Sequence, residues 1–226
     1  MTTNGNASAK AQIEPVKIFA HASAFHKSCE LLQRSATATD PASGLPNDQL
    51  IGIIAHPAMA LSAFASELYL KCLLSIETGT VPRGHDLHSL FLRLKAETRH
   101  ELDDLWDIDI RQPERSAVLE EIRKRPGAEN FRLDLRYALE KGAKGFEELR
   151  YFYEEENSFF LLSDFPYLLR KVILPSLGRY SAKTVEGLPP RTRSPHVRAR
   201  HGYGPARDGR RPHKLVHVEI LVLASP

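Results

Sequence analysis

The chain has 226 residues, 42% of them hydrophobic, 26% charged and 8% aromatic, an ordinary composition for a globular protein of one or two domains and enough to bury a core. No apolar run approaches the roughly 18 residues needed to span a bilayer. The start, MTTNGNASAK, is polar where a signal peptide needs an apolar stretch, so a cytoplasmic protein without membrane contact is expected. The net charge of +3 divides unevenly: residues 181–226 carry nine Lys/Arg against three Asp/Glu, a net of +6, which leaves residues 1–180 at −3.

Residues 1–12 are small, polar and without periodicity, which reads as a flexible extension. From Pro15 to Arg34, Val16, Phe19, Ala20, Leu31 and Leu32 recur at helical intervals, and proline suits a first helical turn. A loop rich in Pro, Gly and Ser follows, ending in Asn47 and Asp48, either of which can cap the next helix. That helix, from about Leu50 to Glu77, carries Leu61, Phe64, Leu68 and Cys72 on one stripe and Ala65, Tyr69 and Leu73 beside it. A stripe so wide marks a central, largely buried helix, in which Pro57 is a kink or the start of the well-formed part. Gly79 and Pro82 stop it, and Asp86 caps a further helix through Leu87, Leu90, Phe91 and Leu94.

The charge-dense stretch from Glu101 to Arg125 reads as two short surface helices separated by Pro113. From Phe131 the spacing of Leu135, Leu139, Phe146, Leu149 and Tyr153 predicts one long helix, weakened at Gly142 and Gly145 by about 1 kcal/mol each relative to alanine. A last helix covers about Phe165 to Leu177. The fold class expected is all-α, an antiparallel bundle of five or six helices over residues 13–180. Residues 181–226, rich in Pro, Gly, Arg and His, read as a basic, disordered, low-complexity tail. So abrupt a change of composition is also what a shifted reading frame in GC-rich DNA produces, which resequencing of the coding region checks.

Most special chemistry finds no support in spacing. Cys29 and Cys72 have neither a CxxC partner nor a disulfide framework, and read as small buried hydrophobes. His21 and His26 are five apart, which does not place two ligands on one helix face, and no HExxH, phosphate loop or GxSxG elbow occurs. No metal or cofactor is expected.

The run Ala65, Glu67, Leu68, Leu70, Lys71, Leu73, Leu74, a short Gly/Pro turn, and then Gly84, His85, Asp86 and Leu87 opening a helix resembles the helical domain called HEPN, for higher eukaryotes and prokaryotes nucleotide-binding. The likeness is specific over about Ala65 to Leu94 and follows the helix order over residues 15–180. It implies nucleotide or RNA as ligand and pairing of two copies. Many members of that family are metal-independent ribonucleases in which an Arg followed four to six residues later by His acts late in the bundle. Here Arg150 stands at the corresponding place and no histidine follows it; Arg83 with His88 has the spacing but lies early.

Each residue of the motif also has a plain structural reading. Glu67 and Lys71 stand in the favourable order for an i,i+4 ion pair, and Asp86 is a helix cap. The functional reading places Glu67, Lys71, Arg83, His85 and Arg150 around a phosphate, with Arg83, His85 and His88 beside the amides that open a helix. Three functions are weighed: a non-catalytic nucleotide- or RNA-binding accessory module, dimeric; an endoribonuclease of toxin or defence type using Arg83 and His88; and a helical scaffold whose tail contacts nucleic acid nonspecifically.

Overall fold

Apolar residues at helical spacing, punctuated by Pro, Gly and Asp, give a bundle of helices. The computed structural model describes residues 14–36, 48–124, 131–144 and 162–186. These form seven helices and no strand: α1 (Pro15–Ala36), α2 (Asp48–Thr78), α3 (Leu87–Leu92), α4 (Ala96–Ile110), α5 (Pro113–Arg123), α6 (Leu135–Lys141) and α7 (Phe165–Glu186).

α2 is the axis. Ala55, Ala58, Ala63, Ala65, Tyr69, Leu70, Leu73 and Leu74 are buried on nearly every side of it, so it lies inside the bundle. α1 runs antiparallel to it: Cys29 Sγ donates to Ala58 O at 3.2 Å, Phe25 meets Phe64 edge-on at 4.5 Å, and Cys72 Sγ donates to Pro15 O at 3.4 Å. On another side, Ser62 Oγ contacts Leu162 O and Ser163 O at 3.2 and 2.8 Å, and Tyr69 bonds Arg170. These contacts advance along both segments together, from 62 to 69 and from 162 to 170, which places α7 in the same direction as α2. Pro57 sits inside the continuous α2, on its exposed side.

The segment Ile53–Thr78 of α2 is long and apolar enough to cross a membrane by length and composition, although Glu67 and Lys71 interrupt any pure apolar run. Two-thirds of its most apolar window, 67%, is buried inside the bundle.

Three expectations need correction. The two charge-dense helices are not simply surface helices: Leu102 and Trp106 of α4 are buried, and Trp106 Nε1 donates to Leu133 O at 2.7 Å. In α5, Arg115 is buried between Asp109 and Asp164, 3.1 Å from the latter, with its guanidinium over the Trp106 ring. The helix predicted from Phe131 to Tyr153 stops at Lys141. Asp134 caps its start through Tyr137 N at 2.9 Å, and Gly142 closes its end by donating to Ala138 O at 2.9 Å. Residues beyond 144 in that stretch lie outside the described residues. Finally, α7 runs through the exposed Pro175 to Glu186, beyond the helix end expected near Leu177. Most of the predicted extension and tail, 1–12 and 187–226, likewise lie outside the described residues.

Candidate functional site

Glu67 and Lys71 lie one turn apart on α2, where the helix is otherwise apolar. The Glu67 side chain is only 2% exposed and that of Lys71 12%, and Lys71 Nζ donates to Glu67 Oε1 at 2.8 Å. A buried carboxylate needs such a partner, because removal from water costs several kcal/mol per ion. α2 then ends at Gly79, whose φ of 73° suits only glycine well and whose N–H donates to Ser75 O at 2.9 Å. The chain doubles back over the buried Pro82, and Gly84, at φ 96°, aims the next residue at the end of α2.

That residue is His85. Its Nδ1 lies 3.0 Å from Glu67 Oε1, so one buried oxygen serves a lysine from its own helix and a histidine eighteen residues on. A carboxylate only accepts, so the shared hydrogen sits on Nδ1, and Nε2 remains as the other nitrogen of a side chain 61% exposed. Among the described residues Glu67 Oε2 and Ser66 Oγ are buried with no hydrogen-bond partner.

The other candidates fall differently. Arg83 is exposed on the same turn. His88 Nε2 lies 4.0 Å from Glu140 Oε1 on α6, away from the Glu67 pairing. Asp86 caps α3, its Oδ1 accepting from Ser89 N at 2.6 Å, while Leu87 N donates to Ala143 O at 2.9 Å. Those amides are therefore taken by protein acceptors, and any anion at this turn rests on side chains alone. Arg150 lies outside the described residues.

A second polar cluster escaped the sequence reading. His26, buried on α1, has Nδ1 3.5 Å from Tyr69 Oη and Nε2 3.6 Å from Glu30; Tyr69 also pairs with Ser23 at 3.1 Å and bonds Arg170 of α7. Burial, more than the opposing Glu30, pulls the His26 pKa below its usual value of 6.5, and Arg170 adds to that effect. Burial likewise pushes Tyr69 up against its hydrogen bond from Ser23 and the charge of Arg170. The i,i+4 spacing of His26 and Glu30 was the available sequence signal. Its partners on α2 and α7 had none. Among the described residues no group of three or more His, Cys, Asp or Glu is placed to hold a metal ion.

These features define an all-α bundle with a buried carboxylate, shared by lysine and histidine, where its central helix turns into the next. No protein-family model, curated protein or solved structure matches the chain.

Proposed function

We propose that this protein is a non-catalytic accessory module of the HEPN kind that binds a nucleotide or RNA through phosphate at the α2–α3 turn. The observation that carries the reading is the sharing of Glu67 Oε1 by Lys71 and His85. Glu67 fixes the imidazole through Nδ1, so that in the protonated ring Nε2–H faces outward to donate to a phosphate oxygen, and Arg83 supplies a two-pronged guanidinium on the same exposed turn. The same reading implies a homodimer, which sedimentation equilibrium checks. Isothermal titration of the full chain with a nucleoside triphosphate, free of metal, tests the site. Arg83→Gln with His85→Gln lowers affinity tenfold or more if the reading holds, and an unchanged affinity overturns it.

A second reading is favoured by one specific feature. An imidazole held by a carboxylate through Nδ1 is the arrangement of an oriented general base, and an adjacent arginine would stabilise charge developing on phosphorus. His85 with Arg83, rather than His88 with Arg83, then forms a metal-independent endoribonuclease centre, because His88 faces Glu140. Cleavage of single-stranded RNA in EDTA that is lost in His85→Gln supports this reading. RNA left intact by the wild type removes it.

A further inference from the structure

Tyr69, wholly buried on α2, carries its hydroxyl into the seam between α1 and α7, and three groups converge on that one oxygen: Ser23 Oγ at 3.1 Å and His26 Nδ1 at 3.5 Å from α1, and the side chain of Arg170 from α7. The direction of each bond follows from what each group can do. His26 turns Nε2 to Glu30 Oε1 at 3.6 Å, and a carboxylate only accepts, so in the neutral ring the hydrogen sits on Nε2 and Nδ1 is bare. Tyr69 therefore gives its hydroxyl hydrogen to Nδ1. A guanidinium only donates, so Arg170 and the Ser23 hydroxyl donate to the two lone pairs of Oη.

A proton on His26 breaks this arrangement. With hydrogens on both nitrogens, Nδ1 can only donate, so Oη accepts from His26 and its own hydrogen turns to Ser23 Oγ, reversing that bond. The phenol oxygen then faces two cationic donors, His26 and Arg170, in a place shut off from water, where like charges repel most strongly. The other charges that face His26 do not absorb the conflict. Glu30 of α1 and Asp164 of α7 favour the charged ring and Lys27 of α1 opposes it, but Glu30 also faces Lys27 at 4.0 Å and Arg34 at 3.8 Å, and Asp164 is held by Arg115 at 3.1 Å. Burial, the largest effect, keeps the ring neutral at pH 7 and sets the change below pH 6.5. His26 is fixed in the core, whereas Arg170 is half-buried, with Cζ 5.8 Å from the centroid of the half-buried Phe19 ring, and has a path to solvent.

We propose that this seam is an acid-operated switch: a proton on His26 reverses the hydrogen bonds of Tyr69 and Ser23 and drives Arg170 off the Tyr69 hydroxyl to the surface of α7. The helices themselves stay in place, because α1 and α7 are tied to α2 at points away from the seam, Cys29 to Ala58 O and Ser62 to Leu162 O and Ser163 O. The switch is independent of the phosphate reading of the α2–α3 turn, and its charge carrier is a single side chain that passes from a buried partner to solvent.

The test is nuclear magnetic resonance of the full, isotope-labelled chain between pH 7.5 and 5, with long-range proton–nitrogen spectra of the imidazoles and with His26 and Arg170 assigned by the signals lost in His26→Gln and Arg170→Gln. Circular dichroism checks that each variant keeps the fold. At pH 7.5 the His26 ring is expected to carry its hydrogen on Nε2. On acidification the Arg170 Nε signal moves with the same midpoint as His26, and its heteronuclear Overhauser effect falls to that of an exposed side chain. Arg170→Gln, which removes the competing cation, shifts the His26 midpoint upward. In Tyr69→Phe, which removes the shared oxygen, Arg170 no longer follows His26. A neutral ring with its hydrogen on Nδ1 overturns the proposal, because Tyr69 would then accept from His26 at every pH and nothing would reverse. So does an Arg170 signal that ignores the His26 titration, an unmoved midpoint in Arg170→Gln, or a His26 that stays neutral until the chain unfolds in acid.

Discussion

Lys71→Met tests whether the carboxylate at the heart of the site is a buried ion pair or an ordinary surface one. The substitution keeps the length and apolar body of the side chain and removes only the ammonium, leaving Glu67, 2% exposed, with a single donor from the largely exposed His85. Exposed i,i+4 pairs contribute about 0.3–0.5 kcal/mol, whereas stripping one partner from a buried pair costs about 3–5 kcal/mol. Because Lys71 retains 12% exposure and His85 stays on Oε1, the low end applies, a loss of about 3 kcal/mol. In a chain of this size that lowers the melting midpoint by about 6–12 °C. Urea unfolding followed by circular dichroism measures the loss. The companion variant Glu67→Leu/Lys71→Met removes both charges together, and replacing a buried pair by apolar groups is often neutral, so it recovers to within about 1 kcal/mol of the wild type. A loss below about 0.5 kcal/mol in Lys71→Met refutes the reasoning, since the pair would then behave as a solvated one.

Asp86→Ala removes the α3 cap bond to Ser89 N and costs about 1 kcal/mol, read from the same urea transitions. Burial pushes both Cys29 and Cys72 thiols up to about 12, so neither reacts with a thiol reagent at pH 8 in the native protein and both react once urea unfolds the chain. His26 keeps its ring neutral in the fold at pH values where the unfolded chain, near 6.5, is protonated. Unfolding therefore takes up a proton, and stability falls as pH drops through 6.5 towards the lowered native value; His26→Gln flattens that slope in urea transitions recorded from pH 7.5 to 5.5.

What the sequence made legible follows from the range of the forces involved. α1, α2 and the start of α3 are set by local features: Pro15 opening a helix, the apolar stripe through Tyr69 and Leu73, Asp86 as a cap. The stop at Gly142 and the continuation of α7 through Pro175 are tertiary outcomes. The first is fixed where residue 143 receives a bond from Leu87, and the second puts a proline on an exposed side of its helix. The site divides in the same way. Glu67 with Lys71 is readable from spacing four, but His85 reaches Glu67 only because Gly79 and Gly84 adopt positive φ and fold the turn back. A charged residue on an apolar stripe tells the reader that a partner is required without saying which. At Glu67 the local partner occupies one oxygen and the turn adds a second donor to that same oxygen, while Oε2 stays unmatched. Arg115, buried like Glu67 among the described residues, is held between two carboxylates of its own chain. The spare acceptor Oε2 is buried and offers an anion nothing, so the exposed donors at this turn, His85 at 61% exposed and Arg83 beside it, are what the fold leaves for a phosphate to bind.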